Sequence, residues 1–345
     1  MLRLSRRLPH WLPPRLSLST HSTQRSLRQL STATPALVPF RTHPSLSPTT
    51  PLVHTFFHST TSTWTYLLVC PSPSPSHTKQ KAAIIVSVLD FNPSTNQIST
   101  ESADGLLAYV QQQGLQVQRV METHAHADHL TAAAYLRSRL SPTPRLGASA
   151  GIQITQAHFA KVFDTPRDEL QGAFDELYED GETVQVGEME GRVMHLPGHT
   201  ACSAAFVFGD YVFVGDTIFL PKIGSARTDF PSGSAHSLYL SSQKLLSLPS
   251  STRLFSGHNY LSPSSSSSNA CSATVAEQLS ENKHLRKGVK EEEFVGMREE
   301  RDRGLGEPGL LWQSLQVNIR AGRLPRGKDG KPFLRLPLYA PEGFP

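Results

Sequence analysis

Residues 122–129 read Glu-Thr-His-Ala-His-Ala-Asp-His, placing His124, His126, Asp128 and His129 within six positions. On a helix, His124 and His126 would point apart, because neighbours on one face are three or four residues apart. In an extended segment, positions i and i+2 share a side. A loop leaving a strand can therefore aim His124 and His126 together and bring Asp128 and His129 back from the following turn. Neutral imidazoles and carboxylates are ligands of zinc, iron and manganese. A single histidine is ordinarily packed or solvated, but four such groups in six residues point to an ion.

Three more residues recur in a matching setting. His199 lies in Leu-Pro-Gly-His-Thr, Asp216 in Val-Gly-Asp-Thr and His258 in Ser-Gly-His-Asn-Tyr. Each follows a β-rich stretch and a glycine, which lets the chain turn sharply at a strand end. A single site gathered along several strand ends is the arrangement in which open α/β sheets hold ligands.

The elements needed to gather these residues can be read around them. Thr63 to Cys70, Ala82 to Leu89, Val117 to Met121, Val193 to Leu196, Ala204 to Phe208 and Tyr211 to Val214 read as strands. Gly209-Asp210 between the last two is a two-residue hairpin turn. Helices are expected over Ser102 to Gln113, Thr131 to Leu140, Ser237 to Leu246, Ala276 to Arg286 and Glu291 to Arg303. Paired strands followed by mixed strands and helices place the chain in the α/β class with mixed sheets. Pro71 to His77 and the serine run Ser264 to Ser268 read as loops.

Composition bounds the function. No Asp or Glu precedes Asp90, whereas nine Lys and Arg fall at or before Lys81. The remainder therefore holds 33 − 9 = 24 basic residues against 29 acidic ones, a balance of −5. The basic excess belongs to the N-terminal leader, which argues against nucleic acid as a partner. No run reaches the ~18 apolar residues of a membrane helix. The three cysteines, Cys70, Cys202 and Cys271, are far apart and form no CxxC pair, which excludes a zinc ribbon and a disulfide scaffold and implies a reducing compartment. Residues 1–51, rich in Arg, Ser, Leu and Pro, read as a mitochondrial transit peptide or unstructured leader. A domain is expected over 52–325, with a Ser-rich loop at 262–272, followed by a tail at 326–345.

Gly147-Ala-Ser149-Ala-Gly151 matches the nucleophile elbow of serine hydrolases. That elbow needs a strong strand before it and leaves the histidine cluster unused, so a tight strand-to-helix turn is expected instead. Cys202 is read as a small buried thiol, and His195 as a packed side chain.

The ordered set resembles the signature of the metallo-β-lactamase superfamily from about residue 60 to 325. The HxHxDH motif stands at His124, His126, Asp128 and His129, and the later His, Asp and His at His199, Asp216 and His258. The resemblance implies an αββα sandwich, two mixed β-sheets flanked by helices, with a metal site at one edge. Gly224-Ser-Ala-Arg-Thr-Asp-Phe230, Thr274 to Gln278, Glu281 to His284 and Gln316 to Pro325 resemble the persulfide dioxygenase branch, close to bacterial and fungal β-lactamase hydrolase-like members. That branch implies one Fe(2+) per chain held by His124, His199 and Asp216. His126, Asp128, His129 and His258 would then stand beside the ion or hold a second one, with His129 or His258 as acid–base groups. Arg227 and Tyr260 would meet the substrate, Arg227 either binding a glutathione carboxylate or pairing with Asp229. The implied partners are glutathione persulfide and O2, in the mitochondrial matrix, with a homodimer compatible.

Two alternatives follow from the same residues. One is a glyoxalase II-like dinuclear Zn(2+) thioester hydrolase, since all seven ligands are present. The other is a catalytically impaired member of the fold, because Val86 and Ser87 stand where the family carries an Asp that supports the metal loop.

Overall fold

The computed structural model describes residues 36–71, 79–261 and 269–340. Residues 1–35 of the leader, most of the Pro-Ser loop and the serine run Ser264 to Ser268 lie outside the described residues.

Alternation along the strands builds the architecture. In Thr63–Val69, Trp64, Tyr66 and Leu68 face one way and Leu67 and Val69 the other; all five are almost wholly buried. In Tyr211–Gly215, Tyr211 and Phe213 oppose Val212 and Val214 in the same manner. Period-two alternation with both faces apolar demands cover on both sides of each sheet.

The first sheet has seven strands in the spatial order Arg41–His43, Leu52–His58, Thr63–Val69, Gln80–Ile85, Leu115–Met121, Arg145–Ser149 and Glu176–Tyr178. The first four pair antiparallel, the rest parallel. This sheet takes in residues ahead of position 52, where the sequence placed the start of the fold. The second sheet holds Thr183–Val186, Met189–His195, Ala204–Phe208, Tyr211–Gly215, Arg253–Ser256 and Ser272–Thr274. Tyr66, Phe206, Phe213 and Phe255 fill the space between the sheets, each such side chain contributing about 1.5–3 kcal/mol through burial. Helices Glu101–Gln112, Ala133–Arg139, Ile152–Val162 and Leu311–Asn318 cover the first sheet, and Ala235–Leu246, Val275–Glu281 and Glu291–Arg303 the second. The result is the expected αββα sandwich. Among the described residues no helix is long and apolar enough to cross a membrane.

Two expected elements differ. The helix read over Ala276 to Arg286 ends at Glu281, because Asn282 Oδ1 captures the main-chain N–H groups of His284 and Leu285. The strand read over Ala82 to Leu89 is broken. Gln80–Ile85 stays in the first sheet, whereas Val88–Asn92 pairs with Gln97–Ser99 and Leu130–Thr131 in a small three-stranded sheet. The break is at Val86, whose φ of 57° lies in the left-handed region. A β-branched residue there is strained by ~1–3 kcal/mol. An apolar run cannot reveal a reversal that its own side chain disfavours.

Candidate metal centre

Every ligand predicted from the sequence leaves the C-terminal end of a strand. His124 to His129 follow Leu115–Met121, and His199 follows Met189–His195. Asp216 and His258 follow the neighbouring parallel strands Tyr211–Gly215 and Arg253–Ser256. Two glycines make this convergence sterically feasible. Gly215 turns at φ 51°, directly ahead of Asp216. At Gly257 a Cβ would lie 2.4 Å from Asp216 Oδ1, so only glycine lets the two strand ends approach.

The seven side chains fall into two groups, each with its donor atoms within 4.8 Å of one another: His124, His199 and Asp216; and His126, Asp128, His129 and His258. Asp216 Oδ2 lies 3.9 Å from His124 Nε2, 4.0 Å from His199 Nε2 and 3.4 Å from His258 Nε2. His258 Nε2 is also 3.2 Å from Asp128 Oδ2. Donors that bind one ion at ~2.0–2.2 Å are spaced in this way.

The ring nitrogens facing away from the centre are anchored. His199 Nδ1 donates to the carbonyl of Arg227 at 2.8 Å, which leaves Nε2 with its lone pair toward Asp216. His124 Nδ1 meets Thr123 Oγ1 at 3.1 Å, and His258 Nδ1 meets Ser62 O and Thr63 Oγ1, both at 3.3 Å.

Burial and mutual repulsion hold His124 and His126 well below the usual histidine range, so both are neutral and ready to bind an ion. Burial pushes Asp216 up against the pull of His258 and His199. Burial opposes a charge on His258 too, but Asp128 and Asp216 outweigh it and raise the ring. Among the described residues, eight of the twelve buried side-chain polar atoms without a hydrogen bond belong to Glu122, His126, Asp128, His129, Asp216 and His258. Buried polar atoms are ordinarily satisfied. A concentration of orphaned imidazole and carboxylate atoms fits a bound cation.

The sequence model of the metallo-beta-lactamase superfamily matches residues 87–258. The chain is 42% identical over 301 residues to a probable metallo-hydrolase of Burkholderia pseudomallei, covering 84% of this chain and 99% of that protein. This chain belongs to the metallo-β-lactamase superfamily. It is 43% identical over 296 residues to a beta-lactamase hydrolase-like protein of Xylella fastidiosa, covering 85% of this chain but only 66% of that relative's length. The human protein named persulfide dioxygenase ETHE1, mitochondrial, is 29% identical over 213 residues, 61% of this chain and 68% of that protein. The crystal structure of ETHE1 from Myxococcus xanthus superposes with a TM-score of 0.60 at 27% identity, covering 79% of this chain and 99% of that one.

On this superfamily scaffold two clefts reach the centre. One, of about 390 Å³, is lined by His199, Asp216, Arg227, Tyr260, Lys283 and Arg301. The other, of about 900 Å³, reaches Asp128 and His129 from the side of His58 and Asp90. Tyr260 borders both, its ring stacked on His258 with centroids 5.2 Å apart. Arg227 lines the smaller cleft, but its guanidinium is committed to Asp229 at 2.6 and 2.5 Å and to the carbonyl of Gly306 at 2.9 Å. Arg298 is likewise committed to Asp302. Lys283 and Arg301 make no side-chain hydrogen bond or ion pair among the described residues. The Lys283 ammonium is held below its usual range by partial burial and by Arg301 and Arg298. The rim therefore carries two cations, Lys283 and Arg301, with no acidic partner among the described residues.

The nucleophile-elbow reading fails at one atom. Ser149 Oγ lies 3.2 Å from His195 Nε2, but the same nitrogen meets the Tyr178 carbonyl at 2.8 Å. A carbonyl only accepts, so Nε2 carries the proton and cannot take one from serine. Arg145–Ser149 leads into Ile152–Val162, the expected strand-to-helix turn. Cys202 is a buried free thiol whose Sγ accepts from the Ala125 N–H at 3.3 Å, bracing the histidine loop.

Two residues of the centre carried no assignment from sequence. Asn318 Nδ2 donates to the carbonyls of His126 and His129 at 2.7 and 2.8 Å, and its Oδ1 accepts from the Thr131 N–H. With nearly 190 residues between them, no local pattern links it to the loop. Glu122 is buried beneath the loop, its carboxyl pushed up to about 8 by burial. It opens the histidine motif itself, and its position at the strand end was the available signal.

Proposed function

We propose that this chain is an iron-dependent persulfide dioxygenase, converting glutathione persulfide, O2 and water to glutathione and sulfite in the mitochondrial matrix. The observation that carries the reading is the separation of His124, His199 and Asp216 as a group of their own. Two histidines and one carboxylate are the donor set of non-haem iron oxygenases. Ferrous iron held there would supply redox chemistry and open positions for O2 and a sulfur ligand, which zinc does not offer. In the balanced reaction the outer sulfur takes both oxygens of O2 and one from water, leaving sulfite, the thiol and two protons.

The chain's own residues prepare this chemistry. The Arg227 carbonyl fixes the tautomer of His199. His258 Nε2, between Asp128 and Asp216, can hold a proton at the centre, with His129 in the same group of donors. Phe219 and Phe230 form apolar walls of the smaller cleft, Tyr260 borders it, and Lys283 and Arg301 give it a positive rim suited to glutathione's carboxylates. The acid-free, Arg-rich leader and the mitochondrial human relative support the location.

The test is anaerobic purification, metal analysis, then O2 uptake and sulfite release with glutathione persulfide. One iron per chain with both activities is expected; iron-loaded protein without O2 uptake would end the reading. A dinuclear zinc thioester hydrolase is the second reading, favoured by Asp216 Oδ2 standing within reach of both groups. Two zincs and thioester cleavage would select it.

A further inference from the structure

We propose that His58 is a positioning residue of the centre: it sets the turn 59–62 on which His258 is seated. His58 closes the strand Leu52–His58, and Ser59-Thr60-Thr61-Ser62 leads into Thr63–Val69. The turn holds neither glycine nor proline, yet Ser62 stands at φ 55°, a conformation that ordinarily selects glycine or asparagine. The turn therefore depends on bonds to side chains, and His58 supplies them. Its Nδ1 accepts from the main-chain N–H of Thr61 at 3.3 Å and meets Thr61 Oγ1 at 2.8 Å. An N–H only donates, so Nδ1 carries the lone pair, the Thr61 hydroxyl donates to it, and Nε2 carries the hydrogen. Nε2 then donates to Asp90 Oδ1 at 3.2 Å. Asp90 is itself fixed by the N–H and the hydroxyl of Ser102 at 2.9 and 2.7 Å. Burial would raise the Asp90 carboxyl, but the bonds from His58 and Ser102 outweigh it and hold it below its usual range, so it stays an acceptor.

The turn in its place holds the segment that carries His258. The Ser62 carbonyl accepts from the Asn259 N–H at 3.0 Å and faces His258 Nδ1 at 3.3 Å. Beside it, Thr63 forms a β-bridge with His258, and the Trp64 N–H donates to the Gly257 carbonyl at 2.8 Å. The left-handed backbone of Ser62 aims that carbonyl, and His58 fixes the backbone. A path of contacts thus runs Ser102, Asp90, His58, Thr61, Ser62, His258, from the helix Glu101–Gln112 over the first sheet to the end of Arg253–Ser256 in the second. His58, Thr61 and Asp90 line the larger cleft and are none of the seven donor side chains.

The inference rests on the cluster being an ion centre, not on persulfide being the substrate. Two variants separate the two sides of the ring. His58→Asn puts an amide oxygen where Nδ1 stands, which keeps the turn and loses Asp90. His58→Gln keeps a donor toward Asp90 and loses the turn. Amide hydrogen exchange of the metal-free protein reads the seat, and titration with Co²⁺ alone reads the centre. His58→Gln is expected to speed exchange at Asn259 about tenfold while Tyr66 and Leu67 keep their rates, and to bind Co²⁺ about 10–100-fold more weakly. His58→Asn should recover most of both effects. Unchanged Co²⁺ affinity in His58→Gln overturns the proposal, as does equal loss in both variants with Tyr66 and Leu67 exchanging faster, the mark of general loosening. Wild type that binds no Co²⁺ would instead sink the ion-centre reading, while exchange at Asn259 still judges the seat.

Discussion

His199 is held by Arg227, but by its backbone: Nδ1 donates to the Arg227 carbonyl at 2.8 Å, while the guanidinium turns away to Asp229. One residue thus anchors a candidate ligand with its carbonyl while its guanidinium pairs with Asp229 beside the smaller cleft. Arg227→Ala keeps the carbonyl, so its metal content should match the wild type while KM for glutathione persulfide rises several-fold. Loss of metal in this variant would show that the side chain also supports the centre.

The two donor groups predict unequal responses. His124→Ala removes one of three donors and should abolish bound iron and O2 uptake together. Asp128→Asn, in the other group, should retain most of the iron. Metal analysis of both variants decides the assignment; equal loss would mean that the seven side chains act as one dinuclear set.

The rim of the smaller cleft predicts recognition of charge. Lys283 and Arg301 face it without an acidic partner among the described residues. Glutathione should bind the wild type roughly tenfold more tightly than its glycine ethyl ester, in line with a charge-assisted contact of ~1.5 kcal/mol or more. In Lys283→Met that preference should shrink toward one. Calorimetric titration of the two ligands measures it, and an undiminished preference would exclude Lys283.

Acid stability follows from two buried rings. His43 is held at about 4 by burial and by Arg253 and Arg41, and His284 at about 4 by burial and by Lys283, Arg298 and Arg301, against an ordinary 6.5. Between these values the folded chain binds fewer protons than the unfolded one. Their contribution to stability is therefore complete above pH 6.5 and falls away as pH drops through 4. Thermal midpoints measured across that window should decline less steeply in His43→Gln and His284→Gln; parallel slopes would acquit both rings.

Asp302 links the cleft to the helix Glu291–Arg303. Its Oδ1 accepts from Arg298 Nε and Nη2, and its Oδ2 accepts from the N–H and Oγ1 of Thr228. Asp302→Ala leaves a buried guanidinium unpaired and should cost about 3–5 kcal/mol in denaturant unfolding. A cost under 1 kcal/mol would show that solvent reaches Arg298.

What the sequence disclosed followed from short-range regularity. The HxHxDH spacing, the Gly-His and Gly-Asp turns and the apolar strands are patterns a few residues long, and they located three strands of each sheet and the seven side chains that converge; shorter strands such as Arg41–His43 and Glu176–Tyr178 carried no such pattern. The break at Val86 was hidden because its residue type argues against the conformation it adopts. Asn318 was hidden by sequence distance, and Glu122 because a lone acid beside a histidine cluster resembles any solvated carboxylate until its burial is known. The engagement of Arg227 by Asp229 lay between these cases, since the spacing allowed pairing without choosing it over the substrate.

The clasp of Asn318 on the carbonyls of His126 and His129 bears on how the chain matures. The clasp closes only once the chain has been synthesised past Asn318, 189 residues beyond His129. A nascent chain halted before that point would display the histidine-rich turn without its restraint, so an ion taken up earlier would meet a looser loop. Truncation between His258 and Asn318 would remove the restraint while leaving every donor side chain in place.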